Sequence, residues 1–168
     1  LEMKAAGIPV PPKMLDAAQR NLESHSDGAG LAYGTGNRNA DKSMGRGALA
    51  WLGLRLAPER SGKLNANIPR GLKKHYQDTH KGHSYPPIHF MGVALATHLL
   101  GPEDYKRFSD HWVDRLISLQ QPDGSVKLPH EEQKPFQDKD KLVSSTATFA
   151  MILLLQKPGL LEKGLKSK

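Results

Sequence analysis

The chain repeats one arrangement of apolar, small and polar positions three times, and each repeat ends at a proline. The segments 46–58, 90–102 and 146–158 superpose without a gap, and each is apolar over most of a helical circumference. Such a helix is predicted to be enclosed by other helices. A helix with a single apolar face precedes each segment, so that every unit of about 50 residues holds two helices. Units of this kind cannot bury their apolar faces alone and must stack on neighbours.

The same pattern predicts an all-α fold in which outer and inner helices alternate. Proline pairs open the first outer helix and the second inner helix, where a missing N–H is tolerated. No segment shows the alternation that predicts a strand. We expect one domain over residues 1–168, made of three αα hairpins at about 12–58, 64–101 and 102–158. The predicted inner helices are 42–57, 86–100 and 142–156, and the expected large core residues are Trp51, Phe90, Phe108, Trp112 and Phe149.

Composition excludes several kinds of chemistry. The chain has no cysteine, which rules out disulfides, thiolate catalysis and cysteine-ligated zinc. Its net charge of +7 invites comparison with nucleic-acid-binding proteins, but the basic residues are scattered and do not interleave with aromatic ones. We therefore expect a solvated basic surface and no nucleic-acid partner.

The apolar runs are short. The longest, Phe149–Leu155, falls far below the roughly 20 residues that span a bilayer, so we expect a soluble protein with no membrane span. The first residues do not have the composition of a secretory signal. Because the chain begins at Leu1 rather than Met, the sequence does not assign a cellular compartment.

Two short motifs carry a resemblance to a known class of repeat. Leu119-Gln-Gln-Pro-Asp-Gly-Ser-Val126 and Ser145-Thr-Ala-Thr-Phe-Ala-Met151 resemble the repeats of α/α toroids found in squalene and terpene cyclases and in protein prenyltransferase β-subunits. The middle unit, from Ser84 to Trp112, looks like cyclase-like repeat proteins of unassigned function. The resemblance implies an α/α toroid of which three hairpins form about half a ring. The chain is then a fragment of a larger toroid, or another chain or a second copy covers its open edges.

The chain lacks the motifs on which the chemistry of those enzymes depends. It lacks the Asp-rich motif of terpene cyclases, and without cysteine it cannot match the zinc site of prenyltransferases or the thioester of complement-like proteins. We therefore expect a non-catalytic helical-repeat domain that binds a ligand or protein partner at the mouth formed by its inner helices, with no cofactor. The alternative is a cyclase- or lyase-type enzyme whose other site residues lie outside this chain.

Polar residues near the starts of the inner helices are the candidate site, because a toroid of this kind opens its cavity there. Tyr85 and His89 are the candidate acid–base pair of the enzyme alternative, and Arg46 could hold an anion. A structural role is the competing interpretation, with His89 as a hydrogen-bonded core histidine and serines as helix caps. The full set of ligand-binding candidates is Tyr33, Arg46, Tyr85, His89, Thr146 and Thr148.

A group of histidines near the end of the second outer helix is the candidate metal site. His75, His80 and His83 are close enough in sequence to share an ion, and Asp78 lies between them. Their spacing crosses a helix end, and eight histidines make such pairs common by chance. We therefore predict that the chain holds no metal.

Overall fold

The computed structural model describes residues 10–27, 30–31, 44–55, 62–81, 85–129 and 139–157. Most of these residues are helical, which confirms the all-α prediction. The pairing of two-residue strands, β1 (Ser26–Asp27) and β2 (Gly30–Leu31), was not predicted. The helices are α1 (Pro12–Ser24), α2 (Met44–Leu54), α3 (Leu64–His75), α4 (Pro86–Leu100), α5 (Pro102–Ser118) and α6 (Lys139–Leu155), and a 3-10 helix (Tyr76–His80) extends α3.

Proline begins several of the helices, as the sequence predicts, and one glycine separates two of them. Pro12, Pro86 and Pro102 each lie in the first turn of a helix, where no backbone donor is lost. Gly101 separates α4 from α5 with a φ of +138°, a conformation that favours glycine. Its N–H donates to the carbonyl of Thr97, and its own carbonyl accepts from the N–H of Tyr105. A single residue therefore ends one helix and begins the next.

The inner helices lie in a row in chain order. Helix α2 packs on α4, and α4 packs on α6. Each of the later outer helices lies mainly against the inner helix before it, α3 on α2 and α5 on α4. Helix α4 is therefore the centre of the described structure and is buried over most of its circumference.

Trp112 of α5 joins three elements at the centre of the core. Its ring meets that of Phe90 of α4 edge-on at 4.8 Å, and its indole N–H donates to the Tyr76 carbonyl of the 3-10 helix at 2.9 Å. Both rings are fully buried. The five aromatic residues predicted to fill the core are all buried: Trp51, Phe90, Phe108, Trp112 and Phe149.

A hydrogen bond between side chain and backbone ties α5 to α6. The Tyr105 hydroxyl donates to the carbonyl of Ile152 at 2.5 Å, and Tyr105 is buried. Burial raises the pKa of Tyr105 to about 12. Because the hydroxyl belongs to α5 and the carbonyl to α6, this bond fixes the position of α6 along the length of α5.

Within the described ranges, no helix has both the length and the apolar composition required to cross a membrane.

Candidate functional site

Of the residues predicted to form the mouth, Arg46, Tyr85 and His89 lie at the start of an inner helix, whereas Thr146 and Thr148 lie further along α6, which begins at Lys139 and not near Leu142 as predicted. Arg46 is in the first turn of α2, and Tyr85 immediately precedes α4; both are partly buried. Thr146 and Thr148 lie in the second and third turns of α6. Tyr33 and His83 lie outside the described residues.

His89 is held in the contact between α2 and α4. It is only 2% exposed, and its backbone and ring lie so close to Gly45 that a Cβ on that glycine would come within 2.6 Å of the His89 Cα and within 2.5 Å of its Cγ. Arg46 follows Gly45, so the structure does bring these two predicted site residues into one region. Close packing of this kind favours the structural interpretation of His89.

The repeat alignment shows that this packing uses equivalent positions. Gly45, His89 and Ser145 occupy one position of the three inner helices, and all three are buried. A second buried position is shared by Ala48, Gly92 and Thr148. Of the predicted site residues, His89 and Thr148 therefore occupy positions that are buried in all three inner helices.

Thr146 anchors the chain that follows α5. Its hydroxyl donates to the Leu142 carbonyl at 2.8 Å and accepts from the N–H of Val126 at 3.0 Å. Val126 is fully buried and pairs with Gln120 in an isolated bridge across the Gln-Gln-Pro-Asp-Gly turn. In the described structure the Thr146 hydroxyl therefore connects this turn to α6.

The candidate metal residues make other contacts. His75 Nδ1 lies 3.7 Å from one Asp78 carboxylate oxygen, and Lys81 Nζ lies 2.5 Å from the other. His80 packs edge-on against the ring of Trp112, with centroids 5.5 Å apart. In the part of the chain that the structure describes, no three side chains of His, Cys, Asp or Glu are placed to share a metal ion.

The environment of His80 disfavours its charged form. Burial is the largest cause that lowers its pKa below 6.5, and the positive charges of Arg115 and Lys81 lower it further. The hydrogen bond from His80 Nδ1 to the Gln77 carbonyl and the negative charge of Asp78 raise this pKa and oppose the shift in part. His80 is therefore a neutral packing residue at neutral pH.

Sequence reasoning did not anticipate an exposed apolar face on α6. Val143 is 70% exposed and Leu154 is 46% exposed, and the side chains of Ala147 and Ala150 between them are exposed as well. These residues are four, three and four positions apart, which places them on one face of the helix. We call this face the α6 stripe. It lies opposite the face that carries the buried residues Ser145, Thr148, Phe149 and Ile152.

The α6 stripe is also uncharged. No charged residue occurs between Leu142 and Gln156, whereas the exposed side of α5 carries pairs such as Lys106 and Asp110, 2.6 Å apart. A helix face in contact with water is ordinarily polar and charged. The sequence signal was present, since the uncharged part of α6 is apolar over most of its circumference, but that pattern alone does not say which of its faces the rest of the chain covers.

No protein-family model, curated protein or solved structure shows significant similarity to this chain.

Proposed function

We propose that this chain is a non-catalytic helical-repeat domain that acts by binding a protein partner through the α6 stripe. One observation carries the proposal: the helix at one end of the inner row presents Val143, Ala147, Ala150 and Leu154 to solvent without a charge among them. Contiguous exposed aliphatic side chains on a helix are typical of a protein-binding face. This surface replaces the mouth as the proposed point of contact.

We also propose that the chain is built like part of an α/α toroid. The inner helices packed in chain order support this, because each takes its place beside the previous one. Among the described helices, α6 packs mainly on α4, and the α6 stripe lies on the side of α6 opposite its buried face.

The cyclase- or lyase-type alternative gains little from the geometry. It requires His89 to exchange a proton with a substrate, but His89 is 2% exposed and is packed on Gly45. A general acid or base must come within hydrogen-bond reach of the reacting group. A buried position between two helices favours the binding function over catalysis.

A pair of matched variants tests the binding function. Leu154→Lys places a charge in the α6 stripe, and Ile117→Lys places the same charge on α5 at a residue of nearly equal exposure, 49% against 46%. Tagged wild-type chain and both variants are incubated with an extract of cells that express the protein, and the retained proteins are identified by mass spectrometry.

We expect at least one protein to be retained by the wild type and by Ile117→Lys and lost by Leu154→Lys. Circular dichroism spectra and melting temperatures of the variants establish that both are folded. If Leu154→Lys retains the same proteins as the wild type, the α6 stripe is not the binding surface.

A further inference from the structure

We infer that the α6 stripe pairs with the same stripe of a second copy of this chain, with the two α6 helices antiparallel across a two-fold axis. This inference rests on the proposed function, since it names the partner of the same surface. The order of residues within the α6 stripe and the burial of α2 at the other end of the inner row favour a second copy as the partner.

The α6 stripe is palindromic in both spacing and size. From Val143 to Leu154 the steps are four, three and four residues, and a large residue stands at each end with alanines between. Reversing the helix direction leaves this pattern unchanged. An antiparallel pair therefore sets Val143 against Leu154 of the second copy and Ala147 against Ala150 of the second copy. Alanine opposite alanine permits close approach at the axis, and the larger side chains fill the wider space beyond it.

The absence of charge makes self-pairing possible. In a two-fold contact the residues near the axis meet their own copies, so a charge close to the axis would meet a like charge. Between Leu142 and Gln156 there is none. Burial of this face removes apolar surface from water without stranding an ionised group.

At the other end of the inner row, the described residues of α2 present no matching surface. Each residue of α2, from Met44 to Leu54, is buried or partly buried, and α2 is covered by α3 and β2. A head-to-tail arrangement, with α6 of one copy on α2 of the next, would need an exposed apolar face on α2. A closed two-fold pair of α6 helices needs only the face that the structure presents.

The pair should be weak. Stable interfaces bury roughly 1,200–2,000 Å² in total, and a single helix face of about three turns provides less. We therefore expect a dimer that forms with rising concentration, over the micromolar range or above it.

Sedimentation equilibrium of the purified chain is the first test. The wild type is expected to shift from monomer to dimer as its concentration rises. Ala150→Arg, at the centre of the stripe, should remain monomeric, while Ile117→Arg on α5 should dimerise like the wild type. Circular dichroism verifies that both variants keep the helical content of the wild type. A wild type that stays monomeric at every attainable concentration overturns the inference, as does an Ala150→Arg variant that still dimerises.

Single-cysteine variants test the antiparallel direction, and the cysteine-free chain makes them clean reporters. About the proposed axis, residues 150 of the two copies are offset by about 4.5 Å along the helices, and residues 143 by about 16 Å. A disulfide requires Cα atoms within about 7 Å. Ala150→Cys should therefore form a disulfide-linked dimer on mild oxidation, and Val143→Cys should not. Equal cross-linking of both would indicate parallel helices and contradict the inference.

The two proposals fail in different ways. The purified chain could be monomeric while the wild type binds a different protein from the extract that Leu154→Lys does not bind. In that case the partner of the α6 stripe is not a second copy, and the binding function stands. If neither self-association nor partner retention depends on the stripe, both proposals are wrong.

Discussion

Gly45 of α2 lies directly against His89 of α4, so close that a methyl group on Gly45 would come within 2.6 Å of the His89 Cα. The two residues are far apart in the sequence but occupy equivalent positions of two repeats. The contact is possible because glycine has no side chain, and it sets how near the first two inner helices come.

Gly45→Ala should destabilise the protein, although alanine is ordinarily the better helix residue by about 1 kcal/mol. The added methyl group must displace His89 or separate α2 from α4, and overpacking of this kind costs about 1–3 kcal/mol. Urea denaturation of the variant measures the change in the free energy of unfolding.

Gly92→Ala provides the comparison. Its added Cβ would meet Leu49 Cγ at 3.1 Å and the Gly45 carbonyl oxygen at 3.3 Å, which are longer distances than the 2.5–2.6 Å at Gly45, and the partly buried Leu49 can adjust. We expect a smaller loss than for Gly45→Ala. If Gly45→Ala instead raises stability, α2 and α4 are not in this close contact.

Trp112→Ala should cost about 3–5 kcal/mol of unfolding free energy, because the indole is fully buried among α4, α5 and the 3-10 helix. Trp112→Phe keeps an aromatic ring but removes the donor to the Tyr76 carbonyl, so its loss should be smaller and should not be zero. Thermal and urea denaturation give both values. A Trp112→Ala variant as stable as the wild type would show that α5 is not packed as described.

Thr146→Val should loosen the turn after α5. The substitution keeps the shape of the side chain but leaves the buried Val126 N–H without its acceptor, at a cost of about 1–3 kcal/mol. Hydrogen exchange at the Val126 amide should become faster, and Thr146→Ser should restore protection because its hydroxyl can accept the same bond. Unchanged exchange in Thr146→Val would mean that another group holds this amide.

The free energy of unfolding should depend on pH at alkaline values because Tyr105 titrates there. Its pKa rises from 10.0 to about 12 in the folded chain because burial disfavours the phenolate. The folded state therefore binds this proton more tightly, and its contribution to stability is complete below pH 10 and is lost as the pH rises toward 12. Tyr105→Phe should be less stable at neutral pH, since it removes the donor to Ile152.

The difference in unfolding free energy between the wild type and Tyr105→Phe should shrink from pH 10 to pH 12. Denaturation at a series of alkaline pH values measures it, and the comparison cancels titrations that the two proteins share. A constant difference across this range would show that Tyr105 is not buried as a neutral phenol.

The sequence predicted those features that depend on local rules. Pro86 and Pro102 begin helices because proline is tolerated in the first turn, and Trp112 and Phe90 are buried because large apolar rings favour the core. The repeat correctly marked helices that pack together. These rules act within a few residues of chain and need no knowledge of the tertiary arrangement.

Local rules of this kind do not predict contacts between residues that are distant in the sequence. The close approach of Gly45 to His89 and the bond from Val126 to Thr146 depend on the angle and height at which helices meet. The exposed face of α6 depends on the number of neighbours that α6 has. A helix that is apolar around most of its circumference is predicted to be buried on every side. The described chain covers one side of α6 and leaves the α6 stripe exposed.

Photo-cross-linking at position 147 tests the central claim most directly, because it reports what touches the α6 stripe. Benzoylphenylalanine replaces Ala147 in one variant and Ile117 in the other, and both are irradiated under the same conditions in an extract of expressing cells. The α6 stripe as a binding surface predicts a discrete adduct from position 147, at the mass of two chains if the partner is a second copy, and none from position 117. No adduct at position 147, or the same products from both positions, would contradict it.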